Sequence, residues 1–224
     1  MSMTKVIETA LAELGQHEDP AGSNVVKYWS EWWPELQGKP WCVGFQGWVF
    51  NKAGERMAFY NGGKTASCRT LLRCYKEQGQ TVPATDIDVG DILILNFSGK
   101  KIDGELDTEH CALVVEKGKL AGTWYTVEGN TSPGLEGSQD NGGCVAKKLR
   151  SVKNVVGVCR PQYKPEEPKP VVPDYKGRWS EAYWEEGIRR GIITEAKDGI
   201  YRPKDTATRE EVLAMILRND GYHG

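Results

Sequence analysis

The feature that most constrains this chain is a change of hydrophobic period near Gly79. Before it, apolar residues recur at helical spacing: Val6, Ile7, Ala10, Leu11 and Leu14, then Val25, Tyr28, Trp29 and Trp32. Two further sets follow, Trp41, Phe45, Trp48 and Val49 after Pro40, and Leu71, Leu72 and Tyr75 ending before Gly79. Ser23 is placed to cap the second helix and Pro40 to open the third. After Gly79 the chain reads as short β-rich runs set off by Gly, Asp and Asn: Asp91 to Phe97, His110 to Glu116, Thr123 to Glu128, Cys144 to Leu149 and Val155 to Cys159. Helices first and strands afterwards predict an α+β fold, N-terminal helices packed on an antiparallel sheet, rather than a parallel α/β sheet.

A second boundary lies further on. Residues 161–173 hold five of the chain's 11 prolines and read as an extended, semi-rigid linker. It divides a domain at 1–160 from a small module at 174–224. The module returns to helical patterning, with Trp184 and Ile188, then Val212, Met215 and Ile216, as apolar positions around a turn-rich segment, which predicts two short helices and a connecting loop.

Composition excludes several function classes. Lys and Arg number 29 against 31 for Asp and Glu, so a net charge of -2 gives no electrostatic case for nucleic acid or an anionic membrane as partner. No stretch approaches the roughly 20 apolar residues of a membrane helix, and the N-terminus lacks the basic start and apolar run of a secretory signal, which predicts a chain that accumulates in the cytoplasm. The cysteines at 42, 68, 74, 111, 144 and 159 form no CxxC pair in a chain too large to need staples, so free thiols are expected. Recognition must then come from a local site.

Cys42 follows Pro40 by two residues, at a predicted helix N-terminus. Unpaired backbone N–H groups and the helix dipole there favour a thiolate, and the same amides suit an oxyanion hole. The bland alternative is a small core residue beside Trp41 and Phe45. Of the three histidines, His223 is in the terminal tail and His17 in an Asp/Pro/Gly-rich turn, which leaves His110, at the start of a strand, as the candidate base. By itself such a histidine is more often structural. Cys111, one residue on, should point to the opposite sheet face and matter little to the thiol. Glu128 and Asn130, two apart at the end of the next strand, can both face the side that carries His110, giving nucleophile, base and orienter; a solvated strand-end carboxylate is the alternative for Glu128.

These residues lie in a series of blocks, Glu18-Asp-Pro-Ala-Gly-Ser-Asn24, Lys27-Tyr28, Lys39-Pro-Trp-Cys-Val-Gly-Phe45, Asp88-Val-Gly-Asp91, His110-Cys-Ala-Leu-Val-Val115 and Glu128-Gly-Asn-Thr131. In this order they resemble the CHAP family of cysteine-dependent amidohydrolases/peptidases, common in phage endolysins and bacterial autolysins, over nearly all of residues 1–160. The resemblance implies a papain-like fold, Cys42 as nucleophile, His110 as general base and acid, Glu128 as orienter and Asn130 as a further polar member. It implies cleavage of an amide bond in bacterial peptidoglycan, N-acetylmuramoyl-L-alanine amidase by family frequency, with stem-peptide or cross-bridge endopeptidase as the alternative. A noncatalytic cell-wall-binding protein is the reading from another class. An NlpC-type endopeptidase fits less well, because Trp-Cys-Val-Gly stands where Asp-Cys-Ser-Gly is usual. Action on the wall would follow release from the host cytoplasm.

No metal or cofactor is expected: some relatives bind calcium near the N-terminus, but His17, Glu18, Asp19 and Asn24 fall short of the six or more oxygens that Ca²⁺ prefers. Cys68 and Cys74, six apart on one helix, do not share a face, which argues against zinc. The tail, in Trp179 through Trp184, Arg190-Gly-Ile-Ile193, Asp198-Gly-Ile-Tyr-Arg-Pro203 and Ala207-Thr-Arg-Glu-Glu211, is similar to a single S-layer homology repeat. That implies a secondary cell-wall polymer as partner, or a homo-oligomer formed through the module. Trp29, Trp32 and Trp48 are expected in the core and Trp33 in a groove.

Overall fold

The computed structural model describes residues 3–135, 142–163, 173–193, 200–201 and 205–220. The chain divides into two compact units, Met1–Glu166 and Glu167–Gly224. Most of the proline-rich run lies outside the described residues, as do His223 and most of Asp198 to Pro203.

The first unit opens with four helices, α1 (Met3–Leu11), α2 (Lys27–Trp32), α3 (Cys42–Lys52) and α4 (Cys68–Glu77). Among the described residues seven strands follow: β1 (Ile92–Leu95), β2 (Lys101–Ile102), β3 (Glu105–Leu106), β4 (His110–Lys117), β5 (Thr123–Thr131), β6 (Cys144–Ser151) and β7 (Val155–Cys159). Five of them form an antiparallel sheet in the order β6-β5-β4-β1-β7, and β2 and β3 make a separate hairpin. The unit is α+β, as the change of period predicts. The hairpin escaped the sequence reading because strands of two residues are too short to display a period.

Ser23 does not cap α2. Its hydroxyl donates to the Pro20 carbonyl and accepts from Val25 N–H, closing a turn three residues too early, and the N-cap is Val26 without a side-chain bond. Ser67 caps α4 instead, accepting from Thr70 N–H at 3.3 Å. α3 is the central helix, with every residue from Cys42 to Phe50 buried. It can lie against α2 because of two glycines: a Cβ at Gly44 would sit 2.7 Å from the Trp29 ring, and one at Gly47 only 2.1 Å from Trp32. Trp29, Trp32 and Trp48 are buried in the core as expected, whereas Trp33 is half-buried, packed edge-on to Trp32.

The sheet divides two apolar layers. Ile92, Ile94, Cys111, Leu113 and Val127 belong to the layer shared with the helices, and Leu93, Leu95, Ala112, Val114 and Val158 to the other. This is the alternation of a sheet buried on both faces.

The second unit holds α5 (Glu181–Arg189) and α6 (Arg209–Asn219). Tyr175 stacks on Trp184 at 5.8 Å, and Tyr201 meets both rings edge-on. Thr208 and Glu211 form a reciprocal capping box at the start of α6. Val212 and Ile216, read from the sequence as apolar positions, remain exposed. Among the described residues no helix is long and apolar enough to cross a membrane.

Gly47→Ala should test the α2–α3 contact. Displacing the Trp32 ring should cost roughly 1–3 kcal/mol, read as a lower urea midpoint at unchanged slope.

Candidate active site

The site is assembled where the first turns of α3 and α4 meet the beginning of β4. Cys42 is the first residue of α3, and its N-cap, Trp41, supplies no side-chain cap. The first intrahelical bond runs from Phe45 N–H to Trp41 O at 2.8 Å, so the amides of Cys42, Val43 and Gly44 have no partner within the helix. The Trp41 indole donates instead to Glu18 Oε1 at 2.9 Å, tying the helix start to the N-terminal loop. A cavity of about 630 Å³ lies beyond that contact, lined by His17, Glu18 and Gly143 among others; Cys42 is not part of it.

His110 opens β4 and is fully buried. Its Nε2 lies 3.0 Å from Glu128 Oε2 on the neighbouring strand β5. Glu128 is in turn held by two groups that the sequence reading did not single out. Arg150 on β6 donates through Nε to Oε1 at 2.7 Å and through a terminal nitrogen to Oε2 at 2.6 Å, while Thr126 Oγ1 donates to Oε1 at 2.6 Å. Alternation offered a signal for Arg150, because Lys148 and Arg150 lie two apart on a strand flanked by apolar residues. Only the β5–β6 register, with Thr126 opposite Lys148 and Trp124 opposite Arg150, brings the guanidinium to Glu128. The same guanidinium lies 4.8 Å over the Phe97 ring.

Burial acts against the charge on Glu128, but the Arg150 hydrogen bonds and then the His110 imidazole outweigh it and hold the carboxyl down at about 2. Burial likewise opposes the imidazolium; contact with Cys42 and with Glu128 overcomes it and raises His110 to about 9. The Cys42 thiol is held well below its ordinary value by hydrogen bonds from the Cys111 and Cys68 thiols, against the effect of burial, with His110 adding to the lowering. Cys111 is pushed up by burial and by Cys42. Cys68 is pulled down by Cys111 but moved up further by its bond to Cys42 and by burial. The site therefore favours one thiolate, at Cys42, facing an imidazolium.

Three sequence expectations need correction. Cys111 does point away from the face of His110, yet α3 packs on the Cys111 face, so the sulfurs of Cys42, Cys68 and Cys111 lie within 4.8 Å of one another. Alternation was right and the inference of irrelevance was wrong. Spacing along α4 sets Cys68 against Cys74, whereas its neighbour in space is Cys42, at 3.8 Å between sulfurs. All six cysteines are free thiols. The alternation argument for Asn130 also ends at Gly129: the β5–β6 register shifts between Glu128 and Thr131, and Asn130, buried, takes a left-handed backbone with φ 56. Gly129 is required there, because a Cβ would lie 2.4 Å from Phe45. His17 joins Cys144 in an isolated bridge.

Compared with family models, curated proteins and solved structures, the chain finds no match.

Removing Arg150 takes the forked guanidinium away from the buried Glu128 carboxylate. Arg150→Met should cost roughly 3–5 kcal/mol in denaturant unfolding. The pH dependence has a definite sign. With EDTA present, selective alkylation of Cys42 by iodoacetamide should persist well below the ordinary thiol range. The raised pKa of His110 stabilises the fold fully below the free-histidine value of about 6.5, and that contribution is lost as pH rises through about 9. Loss of stability over that interval in the wild type, and not in His110→Gln, is the expected outcome of denaturant titrations at stepped pH.

Proposed function

We propose that the first unit is a cysteine-dependent amide hydrolase of the papain-like, CHAP type, acting on bacterial peptidoglycan. The observation that carries this reading is the buried chain from Cys42, at the start of a helix, through His110 to Glu128, with Arg150 holding the carboxylate. The peptidoglycan substrate rests on the resemblance of the sequence blocks around these residues.

In this reading the Cys42 thiolate adds to the carbonyl carbon of the scissile amide. Backbone N–H groups at the start of α3 stabilise the oxyanion. The His110 imidazolium gives its proton to the leaving nitrogen as the C–N bond breaks, leaving a thioester on Cys42. Neutral imidazole then takes a proton from water, the hydroxide oxygen bonds to the acyl carbon, and the sulfur leaves as thiolate. Glu128 keeps Nε2 protonated and so presents Nδ1 to the reacting atoms, while Arg150 prevents the carboxylate from taking that proton. The bond between N-acetylmuramic acid and L-alanine is the preferred target, with a stem-peptide or cross-bridge bond as the alternative.

Cys42→Ala and His110→Ala should abolish turbidity loss of purified cell walls while both variants stay folded. Lysis by Cys42→Ala would overturn the mechanism. Mass spectrometry of the digest separates the two bonds: intact stems with a new L-alanine amino terminus mean amidase, and internal cuts mean endopeptidase. In the second unit the exposed Trp179 and Tyr183 rings, edge-on at 6.3 Å, offer a surface for a wall polymer. Trp179→Ala in the full chain should reduce pelleting with walls and leave cleavage of soluble muropeptides unchanged.

A further inference from the structure

The hydrolytic chemistry uses one sulfur, whereas three meet at the site. Among the described residues, Cys42, Cys68 and Cys111 are the group of three buried side chains able to share a metal ion. Zinc–sulfur bonds of about 2.3 Å at a tetrahedral angle place two sulfurs about 3.8 Å apart. Cys42 and Cys68 already stand at 3.8 Å, and the third sulfur lies within 4.8 Å of both. His110 stands outside this group: its Nε2 is engaged by Glu128, and it faces the other side of the sheet from Cys111.

We propose that Cys42, Cys68 and Cys111, through their sulfurs, form a site for a thiophilic divalent cation of the zinc class, with water completing the tetrahedron. Three thiolates and one water around such a divalent ion carry a net charge of minus one. Cys42 and Cys68 are each the first residue of a helix, so two helix N-termini face that charge, and the Glu128 carboxylate behind His110 is balanced by Arg150. Each thiol that binds the ion releases its proton to solvent. The ion occupies the sulfur that the hydrolysis needs, so the metal-loaded chain is the inactive form and the metal-free chain the active one.

Co²⁺ and Zn²⁺ are the probes, added to the reduced, chelator-stripped full chain without oxygen. An equimolar complex is expected, with the intense visible bands of tetrahedral cobalt and a sulfur-to-cobalt charge-transfer band, both removed by Zn²⁺. Cys68→Ser and Cys111→Ser should each lose part of the charge-transfer intensity and weaken Co²⁺ binding by about tenfold or more, and Cys74→Ser should change neither. A spectrum without sulfur bands, or one unaffected by Cys68→Ser and Cys111→Ser, would overturn the site. Should these variants not fold, zinc K-edge absorption on the wild-type chain decides: a first shell dominated by sulfur at about 2.3 Å supports the proposal, and an oxygen shell sinks it. These spectra do not depend on turnover, so a failed wall assay and a failed metal site are told apart.

Discussion

The Glu128 carboxylate, fully buried and ionised, is the constraint on which the site depends. A charge in that position is sustained only by partners of good geometry, and it has a forked guanidinium, a hydroxyl and an imidazole. Each partner comes from the sheet: Thr126 from the same strand, Arg150 from β6 and His110 from β4. The register of three strands is therefore fixed by electrostatics as well as by the apolar alternation on either face. A slip by one residue would leave both Glu128 and Arg150 buried and unpaired.

From that anchor the contacts extend toward the helices. Glu128 holds His110 through Nε2, and His110 lies beside Cys42, whose place at the start of α3 is set by glycines that let Trp29 and Trp32 approach the helix axis. Packing and electrostatics are joined here. The close approach that buries the tryptophans also holds the first turn of α3 against the sheet, with its amides free of helical partners. Gly129 does the same from the sheet side, admitting Phe45 where a side chain would push the helix away.

Cys68 and Cys111 give the site its distinctive electrostatics. A thiol beside one basic group is a nucleophile awaiting activation. Three thiols sharing one buried volume, two of them at helix starts, concentrate the ability to carry negative charge. Hydrogen bonds from Cys111 and Cys68 favour the thiolate on Cys42, and the same convergence suits a soft cation.

By itself the sequence determined the class of fold and the residues at the centre. The change of period near Gly79 separates helices from strands, and the five runs read after it correspond to the five strands of the sheet, because alternation and helical spacing are local patterns that survive in one dimension. Cys42 and His110 were legible because each opens an element, and a helix start and a strand start leave marks in sequence. Glu128 was legible through its spacing to the strand end. Tertiary structure alone decided the rest. Arg150 reaches Glu128 through a register that no single strand encodes. Asn130 departs from alternation because a bulge follows Gly129. Cys68 and Cys111 meet Cys42 because two helices and a strand converge from positions 26 and 69 residues away, and proximity across such separations is a property of packing, which one-dimensional spacing does not carry.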